Sequence, residues 1–350
     1  MKKKAKNSGS TNLIVNSLYL ATGLYVTKKV YTALTKLDVR NKVVLITGGS
    51  RGLGLIMARQ LADMQAKVVI CARNKEALSK AAADLAARTP HSLALPCDIT
   101  DKAQVQQMIR EVKEKIGRVE MLINNAGTIQ VGPMETMTEE DYDTAMKIHF
   151  WGPFHVMNAV IPSMIATKGG RIVNIVSIGG KLSVPHLLPY AASKFALSGL
   201  SEGFTTELAK KNIKVTTVYP GLMRTGSPRN VDVKGDHEKE YAWFKIADSL
   251  PLISINAERA AKRIIHAMRT GKKTLTLSLP AKLGATLHEI APNLTLTLFD
   301  VVNRLLPDAE DGSQEKRKGH ESESKASTSI LTKMTEKAEE KHNQLIHKNT

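Results

Sequence analysis

The chain has 350 residues, 42% hydrophobic and 24% charged, an ordinary globular composition with enough apolar material for a sizeable core. Its 23 glycines and two cysteines exclude collagen-like repeats and disulfide scaffolds, and no uninterrupted apolar run reaches spanning length. Fifty Lys and Arg against 33 Asp and Glu give a net charge of +17, which points to nucleic acid or an acidic membrane only if the charges cluster there.

Some do cluster at the start. Residues 1–40 carry Lys2, Lys3, Lys4, Lys6, Lys28, Lys29, Lys36 and Arg40 against Asp38 alone, a net of +7. Between the basic groups runs the apolar segment Leu13 to Val26, interrupted by Asn16, Ser17 and Thr22. It is shorter than the roughly 17 to 25 residues a spanning helix needs. Three readings stand: an anchor or interfacial helix on the cytoplasmic side of an anionic membrane, a helix packed on the protein's own surface or a partner, and a secretory signal peptide. The absence of a small-x-small cleavage site before Lys28 and Lys29 disfavours the last.

From residue 41 to residue 278, short apolar runs alternate with helical patterns. The runs are Val43 to Ile46, Val68 to Cys71, Leu93 to Leu95, Met121 to Ile123, Ile172 to Val176 and Val215 to Val218. Each is strand-sized and rich in aliphatic or branched residues. The stretches between, such as Leu53 to Met64, Lys75 to Arg88 and Lys102 to Ile116, place apolar residues three and four apart. This alternation predicts an α/β fold: one doubly wound parallel sheet with helices on both faces, binding its ligand at the carboxyl ends of the strands.

After the first run comes Thr47-Gly48-Gly49-Ser50-Arg51-Gly52-Leu53-Gly54. Between a strand and a helix, glycines let backbone approach a pyrophosphate, whose charge meets the N–H groups of the helix N-terminus. After the second run the chain reads Cys71-Ala72-Arg73-Asn74, with no carboxylate for a ribose 2′-hydroxyl. Arg73 with Arg51 is therefore read as the grip on a 2′-phosphate, favouring NADP over NAD, against the reading that both arginines are merely solvated. Cys71 and Cys97 lie in no CxxC or zinc-site spacing and are read as buried free thiols, so no metal is expected.

Together with the glycine turn, Asn124-Asn125-Ala126-Gly127 after the fourth run, Ser177 after the fifth, Tyr190-x-x-x-Lys194 and Pro220-Gly221 after the sixth resemble the short-chain dehydrogenase/reductase family over about residues 41–278. The resemblance implies a Rossmann-type fold and a cofactor site made by Gly48, Ser50, Arg51, Gly52, Leu53, Gly54, Arg73, Asp98, Ile99, Asn125, Ala126 and Gly127. Pro220, Gly221 and Thr225 would hold the nicotinamide end, and Tyr190 and Lys194 would also touch the cofactor. It further implies Tyr190 as proton donor, Lys194 as its activator and ribose ligand, and Ser177 as the group orienting the substrate oxygen. On chemical grounds a lysine one helical turn from a tyrosine favours the phenolate.

One position departs from the family pattern. Where an Asn is usual, in Lys147-Ile148-His149-Phe150-Trp151-Gly152, this chain has His149. Imidazole can donate and accept hydrogen bonds, so a supporting catalytic role stands beside a purely structural one, and His149 is expected to tune turnover without being essential.

The chain from Thr225 to about Ile255 shows no clear periodicity but carries Tyr241, Trp243 and Phe244, read as substrate-covering residues or as core packing. Residues 279–307 extend past the usual end of the fold. There Leu283, Leu287, Ile290, Leu294, Leu298, Val301, Val302 and Leu305 predict amphipathic helices broken at Pro292, expected to pack on the core or a second subunit in preference to a membrane. Residues 308–350 hold eight Lys or Arg and nine Asp or Glu, a net of −1, and read as a solvated, disordered tail with a weak helix around Ile330 to Leu345. That leaves +11 on residues 41–307.

The expected function is that of an NADP(H)-dependent oxidoreductase interconverting a small-molecule carbonyl and an alcohol, on an apolar or lipid-like substrate. The competing reading is a catalytically impaired NADP-binding regulatory or scaffold protein. Nucleic acid is not an expected partner, a membrane surface met through residues 13–26 is one, and the family resemblance implies a homo-oligomer.

Overall fold

Aliphatic runs without polar alternation suit strands covered on both faces, and here they form one seven-stranded parallel sheet. The computed structural model describes residues 36–250, 253–309, 314–328 and 332–345, together with Ser17 and Thr22. Residues 1–38 form a unit separate from residues 39–350. Apart from Ser17 and Thr22, the apolar segment Leu13 to Val26 lies outside the described residues.

β1 (Val43–Thr47) is fully buried and lies between β2 (Lys67–Ala72) and β4 (Met121–Asn124), with Ile46 opposite both Ile70 and Ile123. β3 (Ser92–Pro96) closes one edge beside β2, while β5 (Gly170–Ile175), β6 (Ile213–Tyr219) and β7 (Thr274–Thr276) extend the other side. The order is β7-β6-β5-β4-β1-β2-β3, so the winding reverses between β1 and β4. A cleft at their carboxyl ends follows. The short edge strand β7 has no counterpart among the six runs seen in the sequence.

Helices α1 (Gly52–Asp63), α2 (Lys75–Ala86) and α3 (Lys102–Lys115) follow the first three strands. Asn74 caps α2 by accepting from the N–H of Ala77, and Asp101 caps α3 by accepting from Ala103 and Gln104. α4 (Glu139–Met146) leads through a π-turn at Lys147–Trp151 into α5 (Gly152–Ala166), and α6 (Leu188–Glu207) crosses from β5 to β6.

The segment after Thr225 is more ordered than its sequence implies. It contains α7 (His237–Ser249), capped by Asp236. Its buried face includes Glu240, Lys245, Asp248 and Ser249, so a hydrophobic period is absent although the helix packs closely. α8 (Ala257–Thr270) then packs on α1 and precedes β7.

Two expectations need correction, the first only in the half that packs the stripe on the core and not in the half that packs it on a second subunit. The pair α9 (Leu279–Ile290) and α10 (Pro292–Asn303) does break at Pro292, but the apolar stripe does not face the core. Leu283, Leu287, Ile290, Leu294, Leu298, Val301, Val302 and Leu305 are all exposed, and only Ala281, Ala285 and Thr295 in the two helices are buried. The described part of the tail is folded, not disordered, and it includes a helix in the stretch expected to hold one. Arg317–Lys318 pairs antiparallel with Asp232–Val233, and α11 (Lys333–Lys341) packs on α7.

The physical reason lies in charges whose partners are distant in sequence. The Lys245 ammonium, buried on α7, lies 3.4 Å from Glu323 and 3.7 Å from Glu336, and Arg229 lies 3.9 Å from Glu323 and 3.8 Å from Glu339. Ser249 and Thr335 share a 2.6 Å hydrogen bond in the same buried seam. Among the described residues no helix is long and apolar enough to cross a membrane.

Candidate active site

The cleft begins at the turn after β1. Gly48 has φ +64°, and a Cβ there would lie 2.7 Å from the Ala126 Cα, so the turn needs glycine for both conformation and space. A Cβ at Gly54 would collide with the Gly48 carbonyl and the Asn125 side chain. The Thr47 hydroxyl accepts from the N–H groups of Asn125 (3.0 Å) and Ala126 (3.1 Å). The Asn125 amide in return donates to the carbonyls of Thr47 and Gly48. Arg51, the cap position of α1, is extended and makes no side-chain cap bond, and the helix N-terminus opens on the cleft.

The cleft encloses about 630 Å³ and runs from Arg73 and Asp98 at one end to Tyr190 and Trp243 at the other. It is lined by every cofactor or catalytic candidate named from the sequence except Gly54, which serves the close packing of the turn. The wide cleft, the glycine cradle and the helix N-terminus beside it fit a dinucleotide. Arg51 and Arg73 are near enough that Arg73, after burial, depresses the Arg51 guanidinium. Arg51 Nη1 donates to Asn230 at 2.7 Å, while Arg73 is largely exposed, 3.8 Å from Asp98. Cys71 and Cys97 are free and buried. Among the described residues, no cluster of three His, Cys, Asp or Glu is arranged to hold a metal.

At the other end Ser177, Tyr190 and Lys194 converge. The Ser177 oxygen accepts the Gly179 N–H at 3.0 Å and hydrogen-bonds the Tyr190 phenol, and the Lys194 ammonium lies 5.6 Å from the Tyr190 ring centre. Lys194 also donates to the Ile175 carbonyl at 3.1 Å. Burial pushes the Tyr190 phenol up, opposed by the Ser177 hydrogen bond, and pushes Lys194 down to about 7. Desolvation is the largest influence on both groups.

His149 sits in the π-turn, buried, with its ring edge-on to Tyr190 at 5.3 Å. Its Nε2 accepts the Thr128 N–H at 3.2 Å, so Nδ1 carries the hydrogen and donates to Ser193 Oγ at 2.8 Å. Ser193 donates onward to the Tyr190 carbonyl at 2.8 Å. Ser193 carries no motif and was invisible in the sequence. Both ring nitrogens of His149 are thus occupied by protein groups. Burial, reinforced by the Lys194 charge, holds the imidazole well below its ordinary pKa.

The substrate end is mostly apolar, with Val184, Leu187, Leu222, Trp243 and Phe244 on its walls. Trp243 is fixed by donating its indole N–H to Glu240 (2.8 Å), whose other oxygen pairs with His186 at 2.7 Å. Tyr241 and Phe244 share a buried cluster with Val131, Val231 and Val233, against which Trp243 packs, and of the three aromatics Tyr241 alone does not line the cleft. Asp248 was not anticipated. One oxygen accepts the Met223 N–H, the other is buried without a hydrogen bond, and burial raises the carboxyl to about 7.

Residues 42–234 match the family model for short chain dehydrogenases. This chain belongs to the short-chain dehydrogenase family. It is 31% identical over 288 residues to a fatty acyl-CoA reductase from Acinetobacter baylyi, covering 81% of this chain and 92% of that one. A bovine dehydrogenase/reductase SDR family member 7B is 32% identical over 268 residues, covering 75% and 81% respectively. The solved gluconate 5-dehydrogenase of Burkholderia cenocepacia, in complex with NADP and tartrate, is 27% identical with TM-score 0.63, over 72% of this chain and 99% of that one. As a short-chain dehydrogenase the protein is an oxidoreductase acting on a small molecule.

Because the folded state holds His149 neutral in this short-chain dehydrogenase, its contribution to stability is complete above the unfolded pKa of about 6.5 and is lost as pH falls. His149→Asn, which does not titrate, is expected to flatten the acid limb of the stability curve between roughly pH 5 and 6.5. Urea unfolding at successive pH values checks this, and an acid limb identical to wild type refutes it.

Proposed function

We propose that this short-chain dehydrogenase interconverts a carbonyl and an alcohol with NADP(H), on an apolar or lipid-like substrate. The observation that carries the reading is the convergence of Ser177, Tyr190 and Lys194 at one end of a cleft whose other end has two arginines and a glycine turn. A nicotinamide held there supplies hydride to a carbonyl carbon or removes it from a carbinol carbon. Gly48 to Leu53 and the α1 N-terminus would hold the diphosphate, Asp98 and Ile99 the adenine, Asn125 to Gly127 the cleft wall, and Pro220, Gly221 and Thr225 the nicotinamide end.

In the reducing direction the substrate oxygen gains negative charge as its carbon is reduced. Tyr190, held as the neutral phenol by burial, gives that oxygen its proton. The Ser177 oxygen already accepts from Gly179, leaving its own hydrogen to donate to the same developing alkoxide. Lys194, poised near neutrality, lies close enough to restore the charge balance around the phenol once the proton has left. His149, with both ring nitrogens engaged, positions the backbone at Tyr190 through Ser193 and passes no proton to the substrate.

The mutual proximity of Arg51 and Arg73, with no carboxylate at the end of β2, supports a 2′-phosphate as the anion between them. The apolar walls around Trp243 and Phe244 support an aliphatic substrate portion, in keeping with the likeness to a fatty acyl-CoA reductase. The exposed leucines of α9 and α10 adjoin this end of the cleft, because Ser278, Pro280 and Ala281 line it. We assign that face to a lipid surface, and the basic leader of residues 1–40 to a second attachment.

Tyr190→Phe is expected to lower kcat by about 10²- to 10⁴-fold while NADPH binding stays near wild type. NADPH oxidation across aldehydes, ketones and long-chain keto lipids measures it. A wild type that binds NADPH yet turns over none of them would favour the regulatory reading instead. Arg51→Ala with Arg73→Ala is expected to weaken NADPH about tenfold or more with little change in NADH, and an equal loss of both removes the 2′-phosphate assignment. Ile290→Glu with Leu298→Glu is expected to reduce flotation of the full chain with phosphatidylglycerol vesicles. Unaltered flotation, or a changed oligomer mass without a change in flotation, would reject the lipid face.

A further inference from the structure

The C-terminal residues Thr332–Leu345 pass over the glycine turn, almost 300 positions away in the chain. Arg59 of α1 donates to the Lys341 carbonyl at 3.0 Å, and the Lys341 ammonium meets Glu258 of α8. The next three residues then take hold of the turn itself. The His342 carbonyl accepts the Gly52 N–H at 2.9 Å. Asn343, with φ +59°, donates its amide to the carbonyls of Ser50 (2.8 Å) and Ala77 (3.1 Å). Gln344 donates to the Thr225 carbonyl at 3.4 Å and accepts from Asn230 at 2.8 Å, and Asn230 is also the partner of Arg51.

These contacts gather three loops at one tip: the glycine turn, the start of α2 and the loop carrying Thr225. Gln344 is buried, yet it lines the cleft, which continues beneath it from Arg73 to Tyr190. The tip therefore walls the cleft at the α1 N-terminus, where the His342 carbonyl holds the Gly52 N–H. Its position, between the α1 N-terminus and Thr225, borders the path of the proposed cofactor's diphosphate, for which the Gly52 N–H must exchange the His342 carbonyl for a phosphate oxygen. The same segment is tied to the substrate side, since Lys245 and Ser249 of α7 meet Glu336 and Thr335, and α7 carries Trp243 and Asp248.

We propose that His342, Asn343 and Gln344 form a clasp that closes the diphosphate compartment over a bound dinucleotide, with Gln344 as a positioning residue on its wall. The proposal rests on the dinucleotide reading above. The Gln344 amide has one N–H on the Thr225 carbonyl and a second to offer an anion, and its bulk excludes water there; both effects favour retention. Entry and exit of the dinucleotide require the tip to lift, breaking the hydrogen bonds to Gly52, Ser50, Ala77 and Thr225. The clasp accordingly governs dissociation more than encounter.

The test measures NADPH affinity and dissociation rate directly on the full chain, by quenching of tryptophan fluorescence and stopped-flow displacement. Removal of residues 332–350 is expected to speed NADPH release about tenfold or more and to weaken binding in proportion. Gln344→Glu, nearly isosteric, sets a carboxylate beside the diphosphate. It is expected to weaken binding at least about tenfold, with the loss shrinking at high salt. If the shortened chain unfolds, Gln344→Glu decides alone, with its thermal unfolding in the absence of NADPH as the control for folding. Release and affinity equal to wild type overturn the clasp. Tighter binding after removal also overturns it, because the segment would then be a competitor for the site. A wild type that binds no NADPH removes the dinucleotide reading and the clasp with it, whereas unaltered variants of a binding wild type remove the clasp alone.

Discussion

The site depends on how the ends of β1 and β4 are locked together while their chains part. These strands are neighbours at the point where the sheet reverses its winding, so the loops that follow them diverge and leave a gap. Thr47 and Asn125 fix the width of that gap through four hydrogen bonds between the two loops. Gly48 lets the turn double back and Gly54 lets α1 approach it, so the helix N-terminus borders the cleft. The spacing between this end and Ser177 beyond β5 is then set by the sheet itself, which is rigid because its central strands are buried on both faces.

Desolvation dominates the chemistry of the far end. It raises the Tyr190 phenol, lowers Lys194 and lowers His149, so all three are driven toward their uncharged forms. A pocket of neutral polar groups makes any new charge on a substrate oxygen costly unless a proton or a hydrogen bond meets it at once. Tyr190 and Ser177 are placed to supply one of each. His149 fits the same logic: a charged imidazole beside Lys194 would be destabilised, and pairing with Thr128 and Ser193 fixes the neutral tautomer.

Six of the seven strands were legible because burial on both faces leaves an unbroken aliphatic run, and the turn after β1 was legible because close backbone approach demands glycine. Spacing along α6 likewise put Tyr190 and Lys194 on one helical face. What could not be read depends on partners far away in the chain. α7 hides its pattern because its buried face includes Glu240, Lys245 and Asp248, whose partners lie elsewhere. β7 is three residues long. Ser193 has no motif, and its importance comes only from lying between His149 and Tyr190. The stripe on α9 and α10 had the right period, but a period tells which residues share a face and not what covers it.

The tail shows why composition misled most. Its near-zero net charge and scarcity of core-forming residues resemble a solvated segment, yet its charges interleave with those of the core. Glu323 and Glu336 face Lys245, Glu339 faces Arg229, and Lys316, Lys318 and Lys341 face Asp141, Asp232 and Glu258. Pairs among these that remain exposed contribute little individually. Lys245 is different, because its side chain is almost wholly enclosed, and an enclosed ammonium without a counter-charge costs several kcal/mol. The carboxylates that answer it come from the tail, so a helix of the substrate side requires the tail's acids as much as the tail requires a surface to lie on. A segment poor in apolar residues is held in place by the core's own buried charge, a dependence that no local pattern in either segment records.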